Sequence, residues 1–217
     1  MRELEEIKIT EPREIERASF EIITRELGDR LLDPEQELVI KRVIHTTADF
    51  EYVDTLDFSE HVVPRAVEAI RQGAHIVTDT TMAMAGINKR VLKHFGGAVH
   101  NYIADEDVAE RARELHLTRS TVAMDKAARQ QEPFIYAIGN APTALVRIYE
   151  LVKTSQMVPP TLVIGVPVGF VNVVESKELI CSLDVPHIVA KGRKGGSNVA
   201  AAIVNALLYL ASNDQRE

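Results

Sequence analysis

The stretch Ile44-His45-Thr46-Thr47-Ala48-Asp49-Phe50 sets one imidazole beside two hydroxyls and a carboxylate. Histidine gives and takes a proton near neutral pH more readily than any other side chain, which suits it to general acid–base work. An imidazole in such a place has a second, purely structural role open to it: capping a helix by donating to a carbonyl. Either role needs a helix that ends here. Asp33 is predicted as its N-cap, Pro34 as its first residue and Gln36 as the third position of a capping box. Leu38, Val39, Val43 and Ile44 follow at helical spacing as a buried stripe. His45 then falls near the C-terminal end, where the helix dipole favours a protonated ring.

A second group of residues with chemical potential lies in four loops that each follow an apolar run. They are Asp79-Thr80-Thr81-Met82, Gly139-Asn140-Ala141-Pro142-Thr143, Gly165-Val166-Pro167-Val168-Gly169-Phe170, and Lys191-Gly192-Arg193-Lys194-Gly195-Gly196-Ser197-Asn198. Glycine lets backbone N–H groups approach a ligand closely, and helix N-termini attract anions. With Lys191, Arg193 and Lys194 the last loop reads as a cradle for carboxylates or phosphates. Turn glycines flanked by solvated basic residues remain the other reading.

The elements that must position these loops alternate strand and helix. Residues 75–78, 98–103, 134–138, 161–165 and 187–190 read as five short strands, almost wholly apolar. Between and after them, helices are predicted over 82–95 (whole or broken), 105–115, 118–131, 141–153, around Glu178, and over 197–210. Before them, Thr10-Glu11-Pro12 opens a helical arm with apolar residues Ile15, Phe20, Ile22, Ile23 and Leu27, closed by Gly28. Residues 50–56 read as a short extended segment and 64–71 as a helix closed by Gly73. The chain thus reads as one domain over residues 1–217, with a helical part over 1–60 and an alternating part over 74–212. Apolar strands alternating with helices imply a parallel sheet covered on both faces. The expected architecture is a three-layer α/β/α, doubly wound, flavodoxin-like and mainly parallel sheet of about five strands, with ligands outside the strands' carboxyl ends. A closed eight-unit barrel, which normally takes about 250 residues, ranks second.

Composition excludes several classes. The 217 residues include 46% hydrophobic and 26% charged residues, ordinary for a soluble globular protein and enough to bury about seven-tenths of the unfolded surface. A net charge of −7, no Trp and 5% aromatics leave neither a basic face nor a stacking platform for nucleic acid. Cys181 is the one cysteine, so no internal disulfide forms and a cytoplasmic home is expected. The acidic N-terminus, Met1-Arg2-Glu3-Leu4-Glu5-Glu6, reads as neither signal peptide nor anchor, and no apolar run reaches the ~18 residues that cross a bilayer. There is no G-x-G-x-x-G after a strand, no P-loop, no G-x-S-x-G elbow and no zinc-type Cys/His spacing. His75, His94, His100, His116 and His187 read as structural or surface residues, Met82 and Met84 as packing, and Cys181 as an unreactive helix thiol.

Taken together, the loops resemble the precorrin-8X methylmutase family of corrin-ring biosynthesis. The resemblance is carried by Ser19-Phe20-Glu21-Ile22-Ile23, Val43 to Asp49, Thr118-Arg119-Ser120, Ile138 to Leu145, Gly165 to Val171, Glu175-Ser176-Lys177 and Gly192 to Ser197, in order along most of the chain. It implies an isomerase that moves a methyl group between neighbouring carbons of ring C. His45 matches the family's catalytic histidine, the proposed proton donor. Ile44-His45-Thr46-Thr47-Ala48-Asp49 looks more like the anaerobic branch, whose substrate carries cobalt. A sigmatropic shift of this kind needs no cofactor and no protein-bound metal. The resemblance further implies a tetrapyrrole site drawn from Ser19, Thr46, Thr80, Arg119, Asn140, Gly169, Arg193, Lys194, Gly195 and Gly196, the basic residues gripping peripheral carboxylates. A flat macrocycle needs a wide opening, so a homodimer is expected, the partner walling the pocket. Two other functions fit the same residues: a corrinoid carrier in which His45 ligates cobalt, and a transferase using Gly192 to Ser197 on a phosphorylated substrate.

Overall fold

Apolar strands buried on both faces set the centre of the molecule. β1 (Leu56–Phe58), β2 (Ile76–Thr78), β3 (Val99–His100), β4 (Ile135–Ile138), β5 (Leu162–Gly165) and β6 (His187–Ala190) form one sheet of order β1-β6-β5-β4-β2-β3. Every residue of β2, β4, β5 and β6 is buried, as a parallel sheet covered by helices requires. The structure, a computed structural model, describes residues 11–213. Thr10, read above as a cap, and the ends of the single domain at residues 1–10 and 214–217 lie outside them.

Alternate strand residues feed two cores. Ile76, Ile135, Ala137, Leu162, Ile164 and Ile188 face α2 (Glu37–Thr47), α4 (Val62–Arg71) and α11 (Ser197–Ala211). Val77, Tyr136, Ile138, Val163 and Val189 face α7 (Glu106–Leu115), α8 (Arg119–Ala128), α9 (Pro142–Lys153) and α10 (Val173–Cys181). The result is three layers. α1 (Pro12–Leu27) lies outside α2, joined through Ile23, Leu27, Ile40 and Ile44. α3 (Tyr52–Thr55), α5 (Thr81–Gly86) and α6 (Lys89–His94) are short connectors, the last two being the broken helix expected over 82–95.

The five parallel strands, counted in chain order from β2, run 2-1-3-4-5, the flavodoxin-type order. The sheet nevertheless has six strands. β1 pairs antiparallel with β6, Asp57 opposite Val189, inside the stretch read as helical. Of residues 50–56, expected to be extended, 50–55 instead turn through α3, and only Leu56, the first residue of β1, is strand. A three-residue edge strand carries too short a pattern to announce itself; its pairing comes from β6, and Thr55 O also accepts the Lys191 N–H at 2.7 Å.

The start of α2 also differs. Residues 34–36 form a turn and the helix begins at Glu37. Asp33 Oδ1 accepts the Glu35 N–H at 2.9 Å, and the Gln36 side chain reaches the Asp33 carboxylate at 3.3 Å, not its backbone. Asp33 therefore makes a local turn of its own in place of the capping box.

Candidate active site at the carboxyl edge of the sheet

The four loops meet at one edge, tied by specific bonds. Asp79, directly after β2 and 1% exposed, accepts the N–H groups of Gly139 (3.0 Å), Asn140 (2.8 Å) and Ala141 (2.7 Å). Burial pushes its carboxyl above the usual range, and the three N–H donors oppose that. Thr80 Oγ1 accepts the Ala83 N–H at 3.1 Å to cap α5 and meets Ser197 Oγ at 2.8 Å, pinning the start of α11. A Cβ on Gly139 would sit 2.6 Å from Ser197 Cα, so only glycine allows this approach.

The segment after β6 forms a strap over residues 191–196. Gly169 N–H donates to Arg193 O (3.1 Å) and Gly196 N–H to Val166 O (2.8 Å), locking the strap to the loop after β5. At Gly195 a Cβ would fall 2.1 Å from Val166 O. Beneath the strap, Lys177 is 1% exposed and donates from Nζ to Gly192 O (2.7 Å) and Lys194 O (2.9 Å). The N–H groups of Arg193, Lys194 and Gly195 meet no acceptor among the described residues.

The His45 corner abuts this strap. Ala48, in the left-handed region at φ 53°, closes α2 by donating to Ile44 O at 2.7 Å. Lys194 Nζ bridges Asp49 Oδ2 (2.6 Å) and Glu51 Oε2 (2.7 Å), joining the helix exit to the strap. His45 itself is exposed and stacks on Phe20 of α1, ring centroids 5.6 Å apart. Arg42, ion-paired with Glu16, lies 4.8 Å from the centre of the same Phe20 ring. Burial against these neighbours and the charge of Arg42 hold the imidazole below its ordinary pKa. The helix-dipole argument pointed the other way. Here loss of water around the ring and the Arg42 guanidinium one turn back act against the dipole. Within the same turns Thr46 Oγ1 donates to Arg42 O (2.9 Å) and Thr47 Oγ1 to Val43 O (2.8 Å).

The residues expected to bind substrate therefore offer different things. Arg119, at the first turn of α8, and Arg193 are exposed and have no carboxylate partner among the described residues; the Arg193 guanidinium lies over Phe170 at 5.4 Å. Lys194 and Lys191 are engaged, the latter with Asp57 Oδ1 at 2.5 Å. Ser19 Oγ donates to Ile15 O (2.8 Å) and Thr46 Oγ1 to its own helix, so toward a ligand both can only accept. Asn140 uses its N–H on Asp79 and leaves an exposed side chain. Gly169 and Gly196 use their N–H groups within the loops, while Gly195 keeps its own.

Asp79, Lys177, Phe20 and Arg42 shape the site without having been singled out for it. Lys177 had a signal: it sits with Val173 and Ile180 on the inward stripe of α10, where a lysine needs a reason. On the sheet's antiparallel side, Asp57, Cys181 and His187 bring donor atoms within 4.8 Å of one another. The cation that faces Asp57 there is the Lys191 ammonium. Burial and the neighbouring carboxylate push the Cys181 thiol up to about 11, which fits its reading as unreactive.

This edge can be set beside known proteins. The precorrin-8X methylmutase family model matches residues 14–210. Cobalt-precorrin-8 methylmutase of Salmonella typhimurium is 47% identical over 207 residues, covering 93% of this chain and 96% of that protein. Its counterpart in Priestia megaterium is 44% identical over 203 residues, covering 94% and 90%. The crystal structure of precorrin-8X methylmutase from Thermus thermophilus is similar at a TM-score of 0.84 and 38% identity, over 92% of this chain and 98% of that one. One family accounts for nearly the full length in both sequence and fold, and the chain belongs to the precorrin-8X methylmutases.

Proposed function

We propose that this isomerase moves a methyl group between adjacent ring C carbons of cobalt-precorrin-8 to give cobalt-cobyrinic acid, with His45 as proton donor. The observation that carries the reading is the Lys194 bridge to Asp49 and Glu51, which fastens the His45 corner to the strap beside Arg193. A macrocycle whose carboxylates reach Arg193, Arg119 and the free strap amides lies within the same edge as the imidazole. Protonation of the ring C nitrogen or adjoining π-system withdraws electron density and lowers the barrier to the shift. General acid catalysis of this kind contributes about 10²–10⁴-fold, roughly 3–5 kcal/mol. The protein's own groups hold His45 below its ordinary pKa; arriving carboxylates offset Arg42 and favour the protonated ring. The relatives named cobalt-precorrin-8 methylmutase favour the cobalt-bearing substrate.

The exit edge also presents Phe170 at 83%, Val171 at 76%, Met82 at 69% and Val168 at 50% exposure. Such a patch beside a wide site fits a second copy of the chain as its cover, giving the homodimer. The single cysteine fits a reducing cytoplasm, and no helix among the described residues is long and apolar enough to cross a membrane.

Single-turnover incubation with cobalt-precorrin-8 and with precorrin-8, followed by visible absorption, tests the reaction. Conversion of the cobalt form within one turnover is expected. Stoichiometric binding with an unchanged substrate spectrum would make the chain a carrier, and no binding would remove the reading. Light scattering of the eluted protein should give twice the chain mass.

A further inference from the structure

A buried lysine without a carboxylate partner is costly, because its ammonium loses water and gains only what hydrogen bonds return. Lys177 is such a residue. It is 1% exposed, no ion pair reaches it among the described residues, and its two bonds go to the backbone carbonyls of Gly192 and Lys194. Burial alone pushes its pKa down to about 8. Gly192 has φ 76°, and a Cβ there would meet nothing within 4 Å, so the turn at Gly192 itself has no local packing. The ammonium below holds the carbonyls of Gly192 and Lys194, while the loop after β5 holds Arg193 O and the Gly196 N–H.

We propose that Lys177 is the positioning residue for substrate carboxylates: it captures two strap carbonyls from beneath, leaves the amides of Arg193 to Gly195 for the ligand, and places a positive charge under them. The inference rests on the methylmutase reading and deepens it. Carbonyls tied inward cannot face an acidic ligand, and a charge in a low-dielectric position acts on bound carboxylates more strongly than one in water. Lys177 meets no reacting atom. Its effect belongs in binding, with the proton transfer at His45 left in place.

The test compares Lys177→Met, which keeps the apolar stem and removes the donors, with Lys177→Arg, which keeps charge and donors. Steady-state kinetics on cobalt-precorrin-8 and equilibrium binding of the corrin product are measured on each, with thermal melts as the folding control. Lys177→Met is expected to raise KM and the product Kd about tenfold or more, with kcat within about threefold, and Lys177→Arg to recover most of that loss. A folded Lys177→Met protein with KM and Kd within about twofold of the parent, or with kcat alone reduced, overturns the proposal.

If the methionine variant does not fold, the unaltered protein supplies the answer through pH. The charged groups on the elements around Lys177 are Glu175 and Glu178 on its own helix, Arg147, Glu150 and Lys153 on α9, Lys191, Arg193 and Lys194 on the strap, Asp57 on β1 and His187 on β6. Lys191 and Lys194 are held above the usual lysine value by their carboxylates, and Cys181 is near 11. Product affinity should therefore weaken as pH rises from about 7 to 9 and the ammonium of Lys177 loses its proton. An affinity flat across that range overturns the proposal. Wild-type turnover separates the two levels: if the parent neither binds nor converts the corrin, the methylmutase reading fails and takes this inference with it. If the parent does both, only the role of Lys177 is at stake.

Discussion

The 139–141 loop is gathered by a buried carboxylate, and the 192–194 strap by a buried ammonium. Asp79 accepts three consecutive N–H groups. Lys177 donates to two carbonyls two residues apart. Both loops carry glycine at the exit of an apolar strand. Their buried partners divide them. A carboxylate consumes the donors that an anion would need, whereas an ammonium consumes acceptors and frees the donors. The first loop is therefore a rigid wall, contributing only the Asn140 side chain, and the strap is the surface able to hold acidic substituents.

The sharpest way to break this comparison is to remove Asp79. Asp79→Ala orphans three N–H groups, those of Gly139 and Ala141 buried and that of Asn140 partly so, and should lower unfolding free energy by about 3–5 kcal/mol, measured by urea denaturation. Product affinity of the folded fraction should change little. A loss of affinity with intact stability would reverse the assignment of the two loops.

Next in size are the strap's own cations. Arg193 has no carboxylate partner among the described residues, and Lys194 has two acidic neighbours. Arg193→Ala should raise KM about tenfold, the worth of one charge-assisted bond, and Lys194→Ala only about two- to threefold. The opposite ranking would mean that Lys194 leaves Asp49 and Glu51 when substrate arrives.

The smallest effect is a shift of the pH limb set by the surroundings of His45. A proton donor works only while protonated, so kcat/KM should fall as pH rises through the lowered pKa of the free enzyme. Arg42→Met removes the repelling charge and should move that limb to higher pH. In the parent, the limb in kcat should lie above the limb in kcat/KM, because the bound carboxylates favour the imidazolium. Coincident limbs would show that substrate charge does not reach His45.

Much of this architecture can be read from residue order. Ile76 to Thr78, Ile135 to Ile138, Leu162 to Gly165 and His187 to Ala190 are strands because nothing but a doubly covered sheet buries such runs. Thr118, which accepts the Thr121 N–H at 3.2 Å, and Pro142 mark helix starts as their chemistry demands. The convergence of the four loops followed from that topology. β1 stayed hidden because its pairing belongs to β6. The state of His45 was misjudged because burial against neighbours such as Phe20 and the charge of Arg42 act through space, beyond what the helix dipole alone conveys. The difference between Lys194 and Arg193 was equally hidden, since Asp49 and Glu51 lie more than 140 residues away in the chain.

The central claim is that His45 supplies the proton while the strap supplies the grip. Single-turnover conversion of cobalt-precorrin-8 by His45→Ala, with product binding measured on the same sample, tests it most directly. The account predicts a rate reduced by about 10²–10⁴-fold with product affinity within about threefold of the parent. A rate within about tenfold of the parent, at equal affinity, would contradict it.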